Sequence, residues 1–176
     1  LYWADLGTRR IERCRLDVNE VAAAAAGTCP GAELVLADVG IVSGLAVDSW
    51  GEYVYYADML DGAISRAPLG ALSAAERGAA AELLWTGGGA RVPMALDLDG
   101  GSGSHPPAVY WLDVQKPASL HKLAIDRVDN SPLPPPSAVL GVGLSRPVAL
   151  AVQSSTRLAF IFDAGTHALL RIDLDG

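Results

Sequence analysis

Four Asp residues are each followed, eight or nine positions later, by a basic residue. The pairs are Asp5 with Arg13, Asp58 with Arg66, Asp113 with Lys122, and Asp163 with Arg171. A carboxylate only accepts hydrogen bonds, so it can bind backbone N–H groups and a guanidinium together. A general base for catalysis would have no reason to recur at regular intervals. We therefore predict that these residues are structural and hold the geometry of a repeated unit.

Two further Asp residues end short apolar runs, and their role has two readings. Asp48 precedes Ser49, and Asp99 precedes Gly100. Carboxylates gathered from several such positions could bind a hard cation, as in a metal-dependent hydrolase or lactonase. Asp before Ser or Gly is also typical of a tight turn. Because Gln153 stands at the third corresponding position, the turn interpretation is preferred.

Other catalytic and metal-binding signatures are missing from the sequence. His105, His121 and His167 lie in dissimilar surroundings, and no His-x-x-x-His or Glu-x-x-His spacing occurs. The sequence also contains no Gly-x-Ser-x-Gly elbow and no phosphate-binding Gly loop. We therefore predict a protein that is not an enzyme and that has no cofactor.

Composition and charge exclude several classes of partner. The chain has 176 residues, of which 51% are hydrophobic and 19% charged, which suits a globular core. Its net charge of −7 argues against nucleic acid and anionic membranes as partners. No apolar run reaches the roughly 20 residues that a spanning helix needs, so we expect no membrane insertion by this segment. Because the chain starts at Leu1 without a signal pattern, we expect it to be part of a longer protein.

Each of the four repeated Asp residues ends a short motif, in which an aromatic or apolar pair is followed by one further residue and then Asp. The four motifs are Tyr2-Trp3-Ala4-Asp5, Tyr55-Tyr56-Ala57-Asp58, Tyr110-Trp111-Leu112-Asp113 and Phe160-Ile161-Phe162-Asp163. They start 53, 55 and 50 residues apart. Short apolar runs separated by Gly and Pro, recurring with this period, predict an all-β repeat architecture.

Each complete unit adds an upstream run led by small residues and a closing apolar run. The upstream runs are 44–48, 95–99 and 149–153, and the closing runs are 34–36, 83–85 and 138–140. Four strands per unit are therefore predicted, with units at about 1–40, 41–90, 91–142 and 143–176. The first unit lacks its innermost strand and the last lacks its outermost strand, which gives 14 strands in all.

The units are predicted to pack face to face around an axis. Four short antiparallel strands cannot cover both faces of their own sheet, and stacking such sheets as blades gives a β-propeller. Small residues such as Gly44 and Ala95 suit an innermost strand, where the blades crowd together. We predict one partial β-propeller domain over residues 1–176, with about three and a half blades, belonging to a larger ring.

Two inserts between the repeats carry local signals. Ser73 is a plausible N-cap for one or two turns of helix that end near Gly78. The Pro-rich segment 131–137 is predicted to be an extended, exposed loop, because Pro fixes φ and restricts the residue before it. A docking site for a partner that binds polyproline helices is the alternative reading of this segment.

The repeats resemble the LDL-receptor class B repeat, or YWTD repeat, in which the aromatic pair, a variable residue and Asp are followed by Ile-x-Arg-x-x-Leu. The matching residues in the first two copies are Ile11, Arg13 and Leu16, and Ile64, Arg66 and Leu69. The chain departs from the pattern where Ala4, Ala57, Leu112 or Phe162 replaces Thr. The resemblance covers nearly the whole chain and implies a propeller that has six blades when complete.

Cys14 and Cys29 are the only cysteines of the chain. Read from the residues alone, they are either two unrelated thiols or a disulfide closing a loop of about 15 residues, worth about 3 kcal/mol in the chain-entropy picture. The resemblance favours the disulfide, because class B propellers are mostly extracellular. It also implies a secreted or cell-surface location and EGF-like neighbouring modules.

The resemblance implies a non-enzymatic interaction or scaffold module. Such a module binds protein partners, or adjacent domains of the same chain, through the loops of its blades. The alternative is a metal-dependent six-bladed hydrolase or lactonase with a cation in the central channel, for which only Asp48 and Asp99 qualify as donors. A purely structural domain of an extracellular assembly is a third reading.

Overall fold

A computed structural model describes residues 1–15, 29, 31–48, 52–70, 72–126 and 131–175 of the chain. Leu16 of the first repeat lies outside these ranges. The described residues form 14 strands in four antiparallel sheets, together with one short α-helix and one 3₁₀ turn. These are the strand numbers that the repeat predicts.

Within each sheet the strands pair in simple sequence order. The first sheet contains β1 (Tyr2–Asp5), β2 (Arg10–Arg13) and β3 (Glu33–Leu36). The second contains β4 (Val42–Val47), β5 (Tyr53–Asp58), β6 (Ala63–Pro68) and β7 (Glu82–Thr86). The third contains β8 (Pro93–Asp99), β9 (Ala108–Asp113), β10 (Ala118–Ile125) and β11 (Pro132–Leu144). The fourth contains β12 (Pro147–Gln153), β13 (Leu158–Asp163) and β14 (Ala168–Asp173).

The four sheets stack as blades, and the chain is a partial β-propeller. Strands β4, β8 and β12, which begin the second, third and fourth sheets, contact one another in order. They are therefore the innermost strands, as the small residues of the repeat predict. A Cβ added to Gly44 of β4 would lie 2.6 Å from the backbone N of Leu96 in β8. Only glycine allows this close approach of two neighbouring blades.

An apolar cluster fills each gap between neighbouring sheets. Between the second and third sheets, Tyr55, Ile64 and Trp111 are fully buried. The corresponding residues Tyr110 and Leu120 are buried in the gap between the third and fourth sheets. Because strand side chains alternate between faces, each middle sheet supplies one set of residues to the gap before it and another to the gap after it.

The helix α1 (Ala74–Ala79) begins where the sequence predicts. The Ser73 hydroxyl accepts a hydrogen bond from the Glu76 backbone N–H, and the Glu76 carboxylate accepts one from the Ser73 N–H at 2.7 Å, which completes a capping box. Arg77 is buried and donates to the backbone oxygens of Leu34 and Val35 in β3, at 3.3 and 3.4 Å. The helix therefore fastens the outer edge of the first sheet to the second.

The Pro-rich segment belongs to a strand, so its assignment as a loop is wrong. Its residues from Pro132 onward are the first half of β11, which pairs with β10 through several register shifts. Proline removes a backbone donor, and strands tolerate it where one side of the strand has no neighbour. As the last strand of its sheet, β11 provides such an edge.

Cys14 and Cys29 are joined by a disulfide, as the resemblance implies. Their Cα atoms are 6.4 Å apart, within the range that a disulfide spans. Cys14 follows β2 directly and is buried, and its backbone N–H donates to the oxygen of Leu1 at 2.8 Å. The bond links Cys14, just after β2, to Cys29 in the segment that leads to β3.

We predict that the disulfide is present in the protein purified without reductant. The mass of the intact chain should rise by about two daltons on reduction, because two thiol hydrogens are gained. A Cys14→Ser/Cys29→Ser double variant should show no such change and should melt at a lower temperature, because the bond restricts the unfolded chain. Equal masses before and after reduction would refute the bridge.

Candidate functional site

The repeated Asp fastens the hairpin turn of its blade to the start of the innermost strand. Asp58 shows the arrangement: its Oδ1 accepts from the backbone N–H groups of Leu60 and Asp61, at 2.9 and 3.3 Å, and of Ile41, at 3.2 Å. The first two belong to the turn after β5, whereas Ile41 directly precedes β4. The turn and the connector therefore share one carboxylate. A Cβ at Gly40 would collide with that carboxylate.

The same arrangement recurs in the third and fourth sheets. Asp113 accepts from the N–H groups of Val92 and Gln115, at 3.2 and 3.0 Å, and also binds the Arg91 guanidinium at 3.0 Å. Asp163 accepts from the N–H groups of Ser145, Arg146 and Gly165, at 2.7, 2.8 and 2.9 Å. Both carboxylates are fully buried. These hydrogen bonds lower the pKa of Asp163, the Ser145 bond most strongly.

Asp5 makes only the turn half of this arrangement. It accepts from the N–H groups of Gly7 and Thr8, at 2.8 and 3.1 Å, and these bonds, that of Thr8 first, lower its pKa. In the described structure β1 has no strand on its inner side. Its sheet therefore offers the carboxylate no connector.

The basic residues of the motif do not pair with these Asp residues. In the β5–β6 ladder Asp58 lies opposite Ala63, whereas Arg66 lies opposite Tyr55, three positions along the strand. At about 3.4 Å per residue this places them about 10 Å apart. The corresponding register holds for the other pairs, in which Arg13, Lys122 and Arg171 lie opposite Tyr2, Tyr110 and Phe160. The register therefore separates each basic residue from the Asp of its own motif, and the structural role of these residues remains a prediction.

Two of the basic residues bind a Glu on the next strand instead. Arg66 contacts Glu82 of β7 through Nε and a terminal nitrogen, at 3.0 and 2.8 Å, and Arg13 contacts Glu33 of β3 at 2.7 Å. Arg66 also lies over the Tyr53 ring, 4.3 Å from its centroid. The sequence reasoning missed both Glu residues. The sequence pattern that indicates them is a Glu directly before the closing apolar run in each of the first two units.

The aromatic residues of the motif in the second and third sheets lie in the gaps between sheets. Burial raises the pKa of Tyr55, whose phenol interacts with Arg66, and it raises the pKa of Tyr110 to about 12. Trp111 is fully buried and stacks on His121, with their ring centroids 5.4 Å apart and an interplanar angle of 12°. Desolvation lowers the pKa of His121 and so favours the neutral form of its ring. His121 also shares a 2.8 Å hydrogen bond with Ser119.

The two Asp residues proposed as cation ligands have partners within the protein. Asp99 is fully buried and forms an ion pair with Arg157, and its Oδ1 accepts from Gly101 N–H at 2.9 Å. Asp48 accepts from Tyr53 N–H at 3.1 Å and lies beside the Tyr55 phenol. Both therefore take part in turn hydrogen bonds. Among the described residues no group of three or more His, Cys, Asp or Glu side chains is placed to hold a metal ion.

A groove of about 810 Å³ lies between the third and fourth sheets, at the end of the blades that carries the Asp turns. Its walls are the turns after β9 and β13 and the connector before β12. Apolar residues and basic residues line it together: Met94, Val114, Val148, Lys116, Arg146 and His167. Asp163 fixes the backbone of Arg146 and Asp113 fixes the turn that leads to Lys116, so the Asp turns position the groove.

The groove is basic although the chain is acidic. Lys116 and Arg146 are exposed, and in the part of the chain that the structure describes neither forms an ion pair. Val148 is 40% exposed beside them. Partly exposed apolar groups edged by unpaired cations are suited to bind an apolar segment that carries carboxylates.

We predict that Asp58→Ala destabilises the protein by about 2 kcal/mol, because it leaves backbone N–H groups without their acceptor. For a chain of this size the melting temperature should fall by about 4–8 °C. Asp61→Ala is the matched control, because Asp61 is exposed in the same turn and its change should have little effect. Equal melting temperatures for Asp58→Ala and the wild type would contradict a structural role.

We predict that Asp163 makes stability depend on pH in the acid range. Because its pKa is lowered on folding, the stabilisation is present above the usual value of 3.8 and is lost as pH falls towards the lowered pKa. Melting temperatures of the wild type and Asp163→Asn should therefore differ at about pH 6 and converge as pH falls below 3.8. A difference that stays constant over this range would contradict the prediction.

Comparison with known proteins supports the fold. Over 99% of its length the chain is similar to a chain in the crystal structure of a nidogen/laminin complex, with 20% sequence identity and a TM-score of 0.72. It spans 57% of that chain. It is also similar over 99% of its length to a functionally unknown protein from Desulfotomaculum acetoxidans DSM 771, with 12% identity and a TM-score of 0.58, and spans 47% of it.

No family model matches the chain, and no curated protein matches it. None of the helices within the described ranges is long and apolar enough to cross a membrane. At identities of 20% and 12%, the structural similarities establish the β-propeller fold and nothing finer.

Proposed function

We propose that the chain is a non-enzymatic protein-interaction module that binds an acidic and apolar segment of a partner in the groove between its third and fourth sheets. The observation that carries the proposal is the pair of unpaired cations, Lys116 and Arg146, beside the exposed Val148 in a chain of net charge −7. A local positive potential on an acidic protein selects partners of opposite charge and speeds their approach.

The groove is rigid enough to recognise a specific segment. Buried carboxylates hold both of its turns and the connector through backbone hydrogen bonds, so little ordering is needed when a partner binds. Its apolar residues supply the water-excluding part of an interface, and the two cations supply a polar rim. Loops held on a rigid scaffold in this way are the usual platform for recognition.

Two further observations support a protein partner outside the cell. The similar structure of a nidogen/laminin complex contains a propeller together with another protein. The disulfide between Cys14 and Cys29 suits an oxidising compartment. With the repeat pattern, these observations support our proposal that the chain is a divergent YWTD-type module of a secreted or cell-surface protein.

A random-peptide library selected against the purified chain tests this function. We expect the enriched peptides to combine Asp or Glu with apolar residues, and to bind less tightly as salt increases, because the attraction is electrostatic. They should lose most of their binding to a Lys116→Glu/Arg146→Glu double variant. Arg10→Glu is the control, since Arg10 is an exposed cation on the first sheet. Peptides that bind the wild type and the double variant equally would refute the assignment.

A further inference from the structure

A cavity of about 360 Å³ lies between the first and second sheets, at the end of the blades that carries the Asp turns. Its walls are the connector before β4, the face of the second sheet that packs on the first sheet, and the helix α1. The described residues that line it run from Leu36 to Thr86. The cavity therefore belongs to two neighbouring sheets in the interior of the chain.

Three carboxylates line this cavity, those of Asp38, Asp58 and Asp61, and no basic side chain is among its described lining residues. We call it the acidic cavity. Asp38 and Asp61 are exposed, and neither forms an ion pair with a residue that the structure describes. Arg9 approaches from the neighbouring turn, but its Nε donates to the backbone oxygen of Val39 at 3.0 Å. The cavity thus carries negative charge that no ion pair within the described residues balances.

One oxygen of the Asp58 carboxylate has no hydrogen-bond partner among the described residues. Its Oδ1 accepts the backbone N–H groups of the Asp turn and of the connector, whereas its Oδ2 lies against Gly40 and accepts none. Asp58 is only 6% exposed, so water does little to compensate. A buried carboxylate oxygen without a donor is costly, and this one lies in the wall of the acidic cavity.

The third and fourth sheets provide a donor for the corresponding oxygen. The Oδ2 of Asp113 binds the Arg91 guanidinium at 3.0 Å, and the Oδ2 of Asp163 accepts from the Ser145 N–H at 2.7 Å. Arg91 and Ser145 each directly precede the connector residue whose N–H group binds Oδ1. In the second sheet this position is Gly40. The second sheet therefore lacks the cation that the third sheet has.

In the gap between the second and third sheets, the place that corresponds to the acidic cavity is filled. A Cβ at Gly87 would meet both the Arg91 side chain and the Trp85 ring, so these two side chains lie side by side. The Trp85 ring in turn packs against the rings of Trp111 and His121, at centroid distances of 5.1 and 6.0 Å. One arginine and three aromatic rings thus occupy this gap.

Smaller side chains stand at the corresponding positions around the acidic cavity. Strand register and the Asp hydrogen bonds align four pairs, with the residue of the cavity first: Leu36 with Trp85, Tyr56 with Trp111, Ser65 with His121, and Gly40 with Arg91. Each replacement removes volume from the gap between the sheets. The acidic cavity is the space that remains.

We propose that the acidic cavity binds an arginine side chain of a partner protein, whose guanidinium donates to Oδ2 of Asp58 between the carboxylates of Asp38 and Asp61. The contact between Arg91 and Asp113 is the example of this arrangement within the chain. A guanidinium is planar and donates to several oxygens at once, which suits one buried carboxylate flanked by two exposed ones. This site is separate from the basic groove between the third and fourth sheets.

The remaining walls suit the stem of an arginine. Val39, Leu83 and Tyr56 supply apolar surface for its methylene groups, beside the acidic end of the cavity. An acidic surface patch would attract any cation to a similar degree. A cavity that combines apolar walls with a carboxylate oxygen lacking a donor selects a long side chain with a planar cationic end.

Titration of the full chain with Nα-acetyl-arginine methylamide, followed by two-dimensional NMR of the backbone amides, tests the proposal. We expect saturable shifts of the amide signals of Gly40, Asp61 and Thr86. The matched citrulline derivative has nearly the same shape without the charge and should bind about 10-fold more weakly. The lysine derivative should also bind more weakly than the arginine derivative, because its ammonium group is a single point charge.

Variants of the chain locate the binding site. Asp38→Asn/Asp61→Asn should bind the arginine derivative about 5-fold more weakly, because it removes two charges and keeps the shape. Ser65→Phe should also weaken binding, because its ring would fill part of the cavity and leave the carboxylates unchanged. Glu52→Gln/Asp173→Asn is the matched control, since it removes two exposed carboxylates at the other end of the sheets and should bind as the wild type does. Circular dichroism checks the fold of each variant, and the Asn variant suffices if Ser65→Phe does not fold.

Several outcomes would overturn the proposal. One is equal binding of the arginine derivative and either the citrulline or the lysine derivative. Another is equal binding by the wild type and Asp38→Asn/Asp61→Asn, or an equal loss in the control variant, which would indicate diffuse attraction to an acidic chain. Tighter binding of free arginine than of the blocked derivative would identify a small-molecule site instead. The Lys116→Glu/Arg146→Glu variant should bind the derivative as the wild type does, so failure of either binding proposal leaves the other intact.

Discussion

The fold depends on one repeated contact, in which a buried carboxylate accepts backbone N–H groups from two separate loops. In the second, third and fourth sheets this contact ties the turn between the second and third strands to the connector that enters the innermost strand. These N–H groups lie next to a buried carboxylate and have no strand partner, so the carboxylate is the acceptor that satisfies them. One Asp per blade meets this need and sets the angle at which each innermost strand begins.

Two groups of ionic contacts stabilise the blades at their other end. Arg66 and Glu82 join neighbouring strands of one sheet, whereas Arg157 joins two sheets through Asp99 and Asp175. Burying Arg157 and Asp99 together is costly unless both are well hydrogen-bonded, so the contact restricts how the sheets can align more than it adds stability. The Arg157 guanidinium supplies the positive charge that balances the buried Asp99 carboxylate, a charge that a bound cation would otherwise supply.

The sequence predicted the repeat, the strand number and the order of strands in each sheet, because these follow from spacing along the chain. It did not predict which side chains meet. Asp58 and Arg66 recur at a spacing of eight or nine residues in every unit, but the register of their strands places them three positions apart along the ladder. Pairing depends on register, and register depends on turn length. The groove was missed for a related reason, since Lys116 and Arg146 come together only when two sheets stack.

The insert before β7 contains Arg77, which gives it a structural role that its composition does not indicate. By donating to the carbonyl oxygens of Leu34 and Val35, it occupies acceptors on the open side of β3. A strand edge with occupied acceptors offers fewer backbone groups for pairing with another molecule. The short helix therefore protects the edge of the first sheet, which comes from a different part of the sequence, against aggregation.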